Sequence, residues 1–191
     1  MDLKLPAIAA HNVARIKRRL HRPIVLVGMM GVGKTTVGRR LATILDRGFV
    51  DADEEIEHSA QLTVAEIFET YGEDYFRDGE RRVIARLLEE GSANCVLATG
   101  GGAFCQEATR DLILEKGFAV WLDSDVETLV ERTGRKNNRP LLEQGDPHET
   151  LSRLQAERRD DYARAPVHVK SLRGPHSDTV EDILEGIVAC L

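Results

Sequence analysis

No apolar run in the chain approaches the ~20 residues that a membrane-spanning helix requires, and no secretory hydrophobic segment precedes the first strand-like stretch. Cysteine is sparse. Cys95, Cys105 and Cys190 are scattered without metal-ligand spacing, and an odd number without a pattern points to reduced thiols and a cytoplasmic home. An excess of positive charge is also missing. The 26 Lys and Arg stand against 32 Asp and Glu, a formal net charge of −6, which argues against an extended nucleic-acid footprint. There is no internal repeat and no low-complexity tract. What remains is 191 residues, a length that suits one α/β domain with a real core. Its basic residues are mostly Arg, the side chain suited to forked capture of phosphate and carboxylate.

The chain is organised around Ile24 to Thr36. Ile24 to Val27 is an unbroken apolar, β-branched run, as a strand buried on both faces requires. Gly28, Gly31, Gly33, Lys34 and Thr35 then complete the pattern G-x-x-x-x-G-K-[ST]. Glycines open backbone conformations closed to other residues, so successive N–H groups can ring an anion. The amphipathic helix that follows (Val37, Leu41, Ile44, Leu45) adds its positive end. Lys34 is placed to reach the β- and γ-phosphates and the Thr35 hydroxyl to ligate Mg²⁺. The stretch predicts a nucleoside-triphosphate site.

Residues 1–22 read as a helical extension and residues 23–191 as a single domain. In the extension Ile8, Val13, Ile16 and Leu20 fall near helical spacing among Lys17, Arg18, Arg19 and Arg22. An edge-packed helix, a membrane-surface helix and a transit peptide all fit, with Asp2 and the scarcity of Ser against the last. Gly48 to Asp53 predicts a second strand ending at an acidic pair, where alternation sets Asp51 and Asp53 on one face. The pair could serve Mg²⁺ and a substrate hydroxyl at the ligand-binding end of a parallel sheet, or merely cap the next helix. Thr63 to Glu66 predicts a capping box opening a short helix that ends near Gly72. A longer helix follows from about Glu73 to Glu90, with Arg77 and Glu80 at i and i+3. That pair is either surface decoration or a brace that aims Arg77 at an anion.

Cys95 to Ala98 predicts a third strand running into Thr99, Gly100, Gly101 and Gly102, where something must approach the backbone closely. A helix from about Gln106 to Lys116 follows. Phe118 to Leu122 is the fourth strand, and Ser124 or Asp125 caps the next helix. Residues of about 133–147 form a basic loop rich in Gly, Asn and Pro, the composition of a mobile lid that excludes water from a transferring phosphoryl group. A charged helix from about His148 to Ala163, a fifth strand at Val167 to Val169, a loop at Arg173 to Pro175 and a helix from Thr179 to Leu191 complete the chain. Strand–helix alternation predicts a parallel sheet with helices on both faces.

Six features in this order resemble the shikimate kinases: Gly28 to Thr35, Asp51 with Asp53, Phe76-Arg77 with Glu80, Thr99 to Gly102, Arg139-Pro140 in the lid, and Arg158 four before Tyr162. The resemblance spans about residues 23–190 and implies an α/β fold of the nucleoside-monophosphate-kinase P-loop type. That fold has a five-stranded parallel sheet in the order 2-3-1-4-5. It implies transfer of the ATP γ-phosphoryl group to the 3-hydroxyl of shikimate, in a monomer that binds neither nucleic acid nor membrane. By matching position, Gly31, Val32, Gly33, Lys34, Thr35 and Thr36 would hold the ATP phosphates, and Thr35 and Asp51 would hold Mg²⁺. Asp53 would contact the ring hydroxyls and orient or deprotonate the nucleophile. Arg77 and Arg158 would fork the shikimate carboxylate, with Glu80 bracing Arg77 and Gly100, Gly101 and Gly102 lying against the ring. Arg139 would steady the γ-phosphate, while Arg132 and the loop of Arg173 and Pro175 would sandwich adenine. The chain departs from the family in carrying Asp160-Asp161 where Pro-Leu is frequent, two acids that could divert the Arg158 guanidinium. Gluconate kinase, a nucleoside-monophosphate kinase and a non-catalytic nucleotide-binding regulator are the rival readings.

Overall fold

The computed structural model describes residues 7–90, 94–134, 145–171 and 174–191. Five strands, β1 (Ile24–Val27), β2 (Gly48–Asp51), β3 (Cys95–Ala98), β4 (Phe118–Asp123) and β5 (Val167–Lys170), form one parallel sheet in the order β2-β3-β1-β4-β5. Burial follows position in that order. All of β1 and β3 is buried, whereas β5, at an edge, alternates buried Val167 and Val169 with exposed His168 and Lys170. The polar alternation of Val-His-Val-Lys is what an edge strand with one face in solvent tolerates.

Eight helices connect and cover the strands among the described residues: α1 (Ala7–Arg19), α2 (Lys34–Leu45), α3 (Ala52–Ala60), α4 (Val64–Glu90), α5 (Glu107–Lys116), α6 (Val126–Thr133), α7 (Pro147–Tyr162) and α8 (His176–Ala189). The expected capping box forms at the start of α4: the Thr63 amide donates to Glu66 Oε2 at 2.7 Å and the Glu66 amide to Thr63 Oγ1 at 3.2 Å. Gly72, at φ +82° and ψ 175°, breaks α4 into the two segments that the sequence predicts. Asp125, rather than Ser124, caps α6 by accepting from the Thr128 amide at 2.7 Å. The last helix begins at His176, three residues before the expected Thr179, because Pro175 supplies an extended residue from which the helix departs.

Two apolar cores result. The large one packs helices on both faces of the sheet and takes in Ile16 and Leu20 near the N terminus. A small one gathers Ile56 of α3 with Ile67 and Phe76 of α4. Ile16 of α1 and Leu20 after it are thus buried, with Val13 packed beside them, and α1 lies against α8 and α2. Arg47 fixes the end of this segment by donating to the carbonyls of Leu20 at 2.6 Å and Arg22 at 3.0 Å.

Candidate active site

The carboxyl ends of β1, β2 and β3 lie side by side, and the three segments leaving them enclose a cleft of about 600 Å³. A cleft of this size at this edge of a parallel sheet is where such folds bind small molecules. From β1 comes the loop of Gly28, Gly31 and Gly33, all at positive φ. Gly28 is the most constrained, since a Cβ there would stand 2.2 Å from the Leu122 carbonyl oxygen. Gly33 precedes α2 in a left-handed conformation and no side chain caps that helix, so its first amides face the loop. The Lys34 ammonium, buried, donates to the carbonyls of Gly28 at 2.7 Å and Met29 at 2.9 Å. Gly31, Gly33, Lys34, Thr35 and Thr36 all line the cleft. Val32 does not: its side chain is fully buried, its amide donates to Met29 and its carbonyl accepts from Arg132 and Ser171. The Val32 backbone holds the loop to its neighbours.

From β2 comes the acidic pair, by a different route from the one the sequence suggests. The strand ends at Asp51, and Asp53 lies in the first turn of α3 rather than on a shared strand face. Asp51 caps that helix by accepting from the Asp53 amide at 3.1 Å, which ends the strand two residues early. Its other oxygen accepts from Thr35 Oγ1 at 2.8 Å, so capping and a place in the site coexist in one carboxylate. Asp53 is pushed up to about 6, chiefly by burial and then by the neighbouring Asp51 charge, with Lys34 acting in the opposite sense.

From β3 comes the glycine triplet. A Cβ at Gly100 would stand 2.5 Å from Glu80 Oε1 and 2.9 Å from Asp53 Oδ1, and one at Gly102 would stand 2.5 Å from Arg77 Nη2. The glycines thus make room for the protein's own charged side chains, a reason that a ligand-free reading of the sequence does not supply. Arg77, on α4, gives Nη1 to Glu80 Oε2 at 2.7 Å and both Nε and Nη2 to Glu73 Oε1 at 3.2 and 3.1 Å. One N–H on each terminal nitrogen remains for a ligand. Glu80 is fully buried, which raises its pKa against the pull of Arg77, and its Oε1 has no hydrogen-bond partner among the described residues.

Arg158 reaches across from α7, where its Nη1 donates to the Gly101 carbonyl at 3.1 Å. The Tyr162 hydroxyl donates to the same oxygen, and burial drives its pKa well up. The feared diversion of Arg158 does not occur. Asp161 pairs instead with Arg110 of α5 at 2.8 Å, and Asp160 is exposed. At the opposite end Arg132 donates to the Val32 carbonyl at 3.1 Å, close to Gly33. Arg139, Arg173 and most of the expected lid lie outside the described residues.

The cleft also contains residues that sequence reading missed. Glu57, one helical turn beyond Asp53, could have been found by that spacing. Phe68, Val64 and Ala65 face the cleft from the first turns of α4 and carry no chemical signature. His176 stands beside Gly33, its pKa lowered by burial and by Arg132 and Arg40. Among the described residues no three His, Cys, Asp or Glu side chains form a group able to hold a metal by themselves.

Comparison with known proteins agrees with this geometry. A model of the shikimate kinase family matches residues 30–188. The shikimate kinase of Novosphingobium aromaticivorans is 62% identical over 189 residues, covering 98% of each chain. A structure of shikimate kinase from Acinetobacter baumannii in complex with shikimate superposes with a TM-score of 0.86 at 38% identity, covering 93% of this chain and 98% of that one. A gluconokinase from Sinorhizobium meliloti, at 20% identity and a TM-score of 0.56 over 91% of this chain and 95% of that one, shares the fold alone. With a family match over most of its length and near-complete coverage at high identity, this chain belongs to the shikimate kinase family.

Proposed function

We propose that this protein transfers the γ-phosphoryl group of ATP to the 3-hydroxyl of shikimate, giving shikimate 3-phosphate and ADP. The observation that carries the reading is the pair of arginines facing one cleft with Lys34: Arg77 and Arg158 supply two guanidinium forks for a carboxylate, which a nucleotide acceptor would not require. The nucleotide's phosphates lie on the loop of Gly31 and Gly33 and on the amides of Thr35 and Thr36, with Lys34 neutralising the β- and γ-phosphates. By the family pattern, Arg132 together with Arg173 and Pro175 would flank the adenine, and Arg139 would steady the γ-phosphate.

Mg²⁺ fits this site. Thr35 Oγ1 and Asp51 Oδ2, 2.8 Å apart beside the phosphate loop, are hard oxygen donors, and Mg²⁺ takes one or two such side chains with phosphates and water completing its shell. When bound, it would neutralise charge on the phosphates. Asp53 accepts a hydrogen bond from the attacking hydroxyl, and its raised pKa suits a group that takes up that proton as the oxygen–phosphorus bond forms. Positioning dominates over basicity, because phosphoryl transfer has little covalent chemistry for a protein to perform. Since all these residues come from one chain, a monomer is sufficient. Three free cysteines at positions 95, 105 and 190 suit a reducing cytoplasm; among the described residues no helix is long and apolar enough to cross a membrane.

An ADP-release assay with shikimate, gluconate and AMP as separate acceptors tests the reading. Turnover is expected with shikimate alone. Turnover with AMP and none with shikimate would replace it with a nucleotide kinase.

A further inference from the structure

The last turn of α7 carries Arg158, Asp161 and Tyr162 at i, i+3 and i+4, on one side of the helix. Arg158 and Tyr162 both donate to the Gly101 carbonyl. Asp161 Oδ1 accepts from Arg110 Nη1 at 2.8 Å. The same nitrogen lies 3.3 Å from the carbonyl of Phe104, in the short 3-10 turn that follows Gly102. Arg110 is only 5% exposed, its Nε has no hydrogen-bond partner, and Asp161 is its ion-pair partner among the described residues. A buried guanidinium whose counter-charge comes from a single carboxylate holds that carboxylate firmly, since separating them leaves an uncompensated charge in a poor solvent. Arg110 therefore pins three segments together: the start of α5, the turn after the glycine triplet, and the end of α7.

We propose that the Arg110–Asp161 ion pair positions Arg158, setting its guanidinium against the glycine turn at the carboxylate end of the acceptor subsite. This rests on the reading of Arg158 as a carboxylate-binding residue. Arg158 has a long side chain whose guanidinium donates to Gly101 O and lies beside the Tyr162 hydroxyl, so its reach into the cleft is set by where the last turn of α7 lies. Asp161 and Tyr162 fix that turn from either side of Arg158's own row. A displacement of about an ångström at a forked carboxylate contact is enough to weaken it by an order of magnitude. Among the described residues the pair's own hydrogen bonds go to Phe104 and to each other, not to the phosphate loop, although the neighbouring Tyr162 hydroxyl lies 3.8 Å from Met29 Sδ in that loop; the larger effect is therefore expected at the acceptor. The acid at position 161, which seemed in the sequence to threaten Arg158, is on this reading what aims it.

The test measures kcat, KM for shikimate, KM for ATP and thermal midpoint for Asp161→Asn, Asp161→Glu and Arg110→Lys, with Asp161→Asn also made in an Arg158→Ala background. Asp161→Asn keeps the shape and removes the charge. It should raise the shikimate KM about five- to tenfold while kcat and the ATP KM stay within about twofold. Asp161→Glu should recover most of the loss. Arg110→Lys, which keeps the charge on a shorter side chain that falls short of the Nη1 position, should show the same shikimate-only signature. In the Arg158→Ala background the Asp161→Asn change should add less than about twofold, because the residue it positions is gone. A lowered thermal midpoint with an unchanged shikimate KM would make the pair a structural brace and overturn the proposal, as would an equal increment in both backgrounds. An Arg158→Ala enzyme with an unaltered shikimate KM would instead remove the carboxylate reading of Arg158 itself.

Discussion

At the phosphate end of the cleft the working groups belong to the backbone: glycines at positive φ, the first amides of α2, and a lysine folded onto the loop carbonyls. At the acceptor end they are side chains. Asp53, Arg77, Glu80 and Arg158 come from three helices and are packed through the glycine triplet. The supporting cores differ in the same way. The loop rests on β1 and α2 within the large core, while α3 and the first segment of α4 share a small cluster around Ile56, Ile67 and Phe76. A backbone anion site is a local object, written in one stretch of chain. A site made of side chains is a property of how several elements dock, and it can be retuned one residue at a time.

The largest effect expected from breaking this contrast is at Lys34. Lys34→Ala should lower kcat by about a thousandfold or more with little change in shikimate KM, because the ammonium acts on charge that develops as the phosphoryl group moves. Steady-state kinetics on both substrates checks this, and a loss confined to KM would place Lys34 in ground-state binding.

Two glycine substitutions sharpen the comparison further. Gly28→Ala forces a side chain onto φ +134° and to within 2.2 Å of a backbone oxygen, so it should cost more than about 3 kcal/mol and show as a collapse of the thermal midpoint. Gly102→Ala meets the Arg77 guanidinium, the far end of a flexible side chain that can swing aside. That variant should fold and fail in shikimate binding. Equal destabilisation by both would erase the distinction between the two ends.

Arg77→Ala comes next. Losing a charge-assisted pair worth about 1.5–3 kcal/mol should raise the shikimate KM by roughly 10- to 150-fold and leave the ATP KM alone. The smallest effect concerns stability. A carboxylate raised from 3.8 to about 6 on folding favours the native state fully below the unfolded value, and that contribution is lost as pH rises through about 6. Asp53→Asn should therefore be more stable than the parent at pH 7, by no more than about 2–3 kcal/mol, and nearly equal to it below pH 4. Denaturant melts without Mg²⁺ or nucleotide at both pH values provide the check. A variant that is less stable at pH 7 would mean that Asp53 contributes more through attraction to Lys34 and Arg77 than burial takes away.

Much of the cleft was legible in the chain because its parts are short and local. Glycine spacing after a β-branched run marks the phosphate loop, and Thr63 with Glu66 marks a helix start, since both depend on contacts within a few residues. The acidic pair was legible in composition but not in geometry. Alternation placed Asp51 and Asp53 on one strand face, whereas the capping bond from Asp51 ended the strand and moved Asp53 into a helix. Val32 sits within the motif, and nothing local announces that its carbonyl accepts from Arg132 and Ser171, residues distant in sequence.

The order of residues alone determined which segments become strands and helices, where the anion-binding turn falls, and which family the pattern resembles, because those depend on periodicity and on interactions spanning a turn or less. Only the tertiary structure decided that the glycine triplet makes space for Glu80 and Arg77, that Asp161 pairs with Arg110 and leaves Arg158 in the cleft, and that Ile16 of α1, a helix packed on α8, is buried in the main core. Each of those outcomes is a competition among partners tens of residues apart, settled by which of them packing brings within reach.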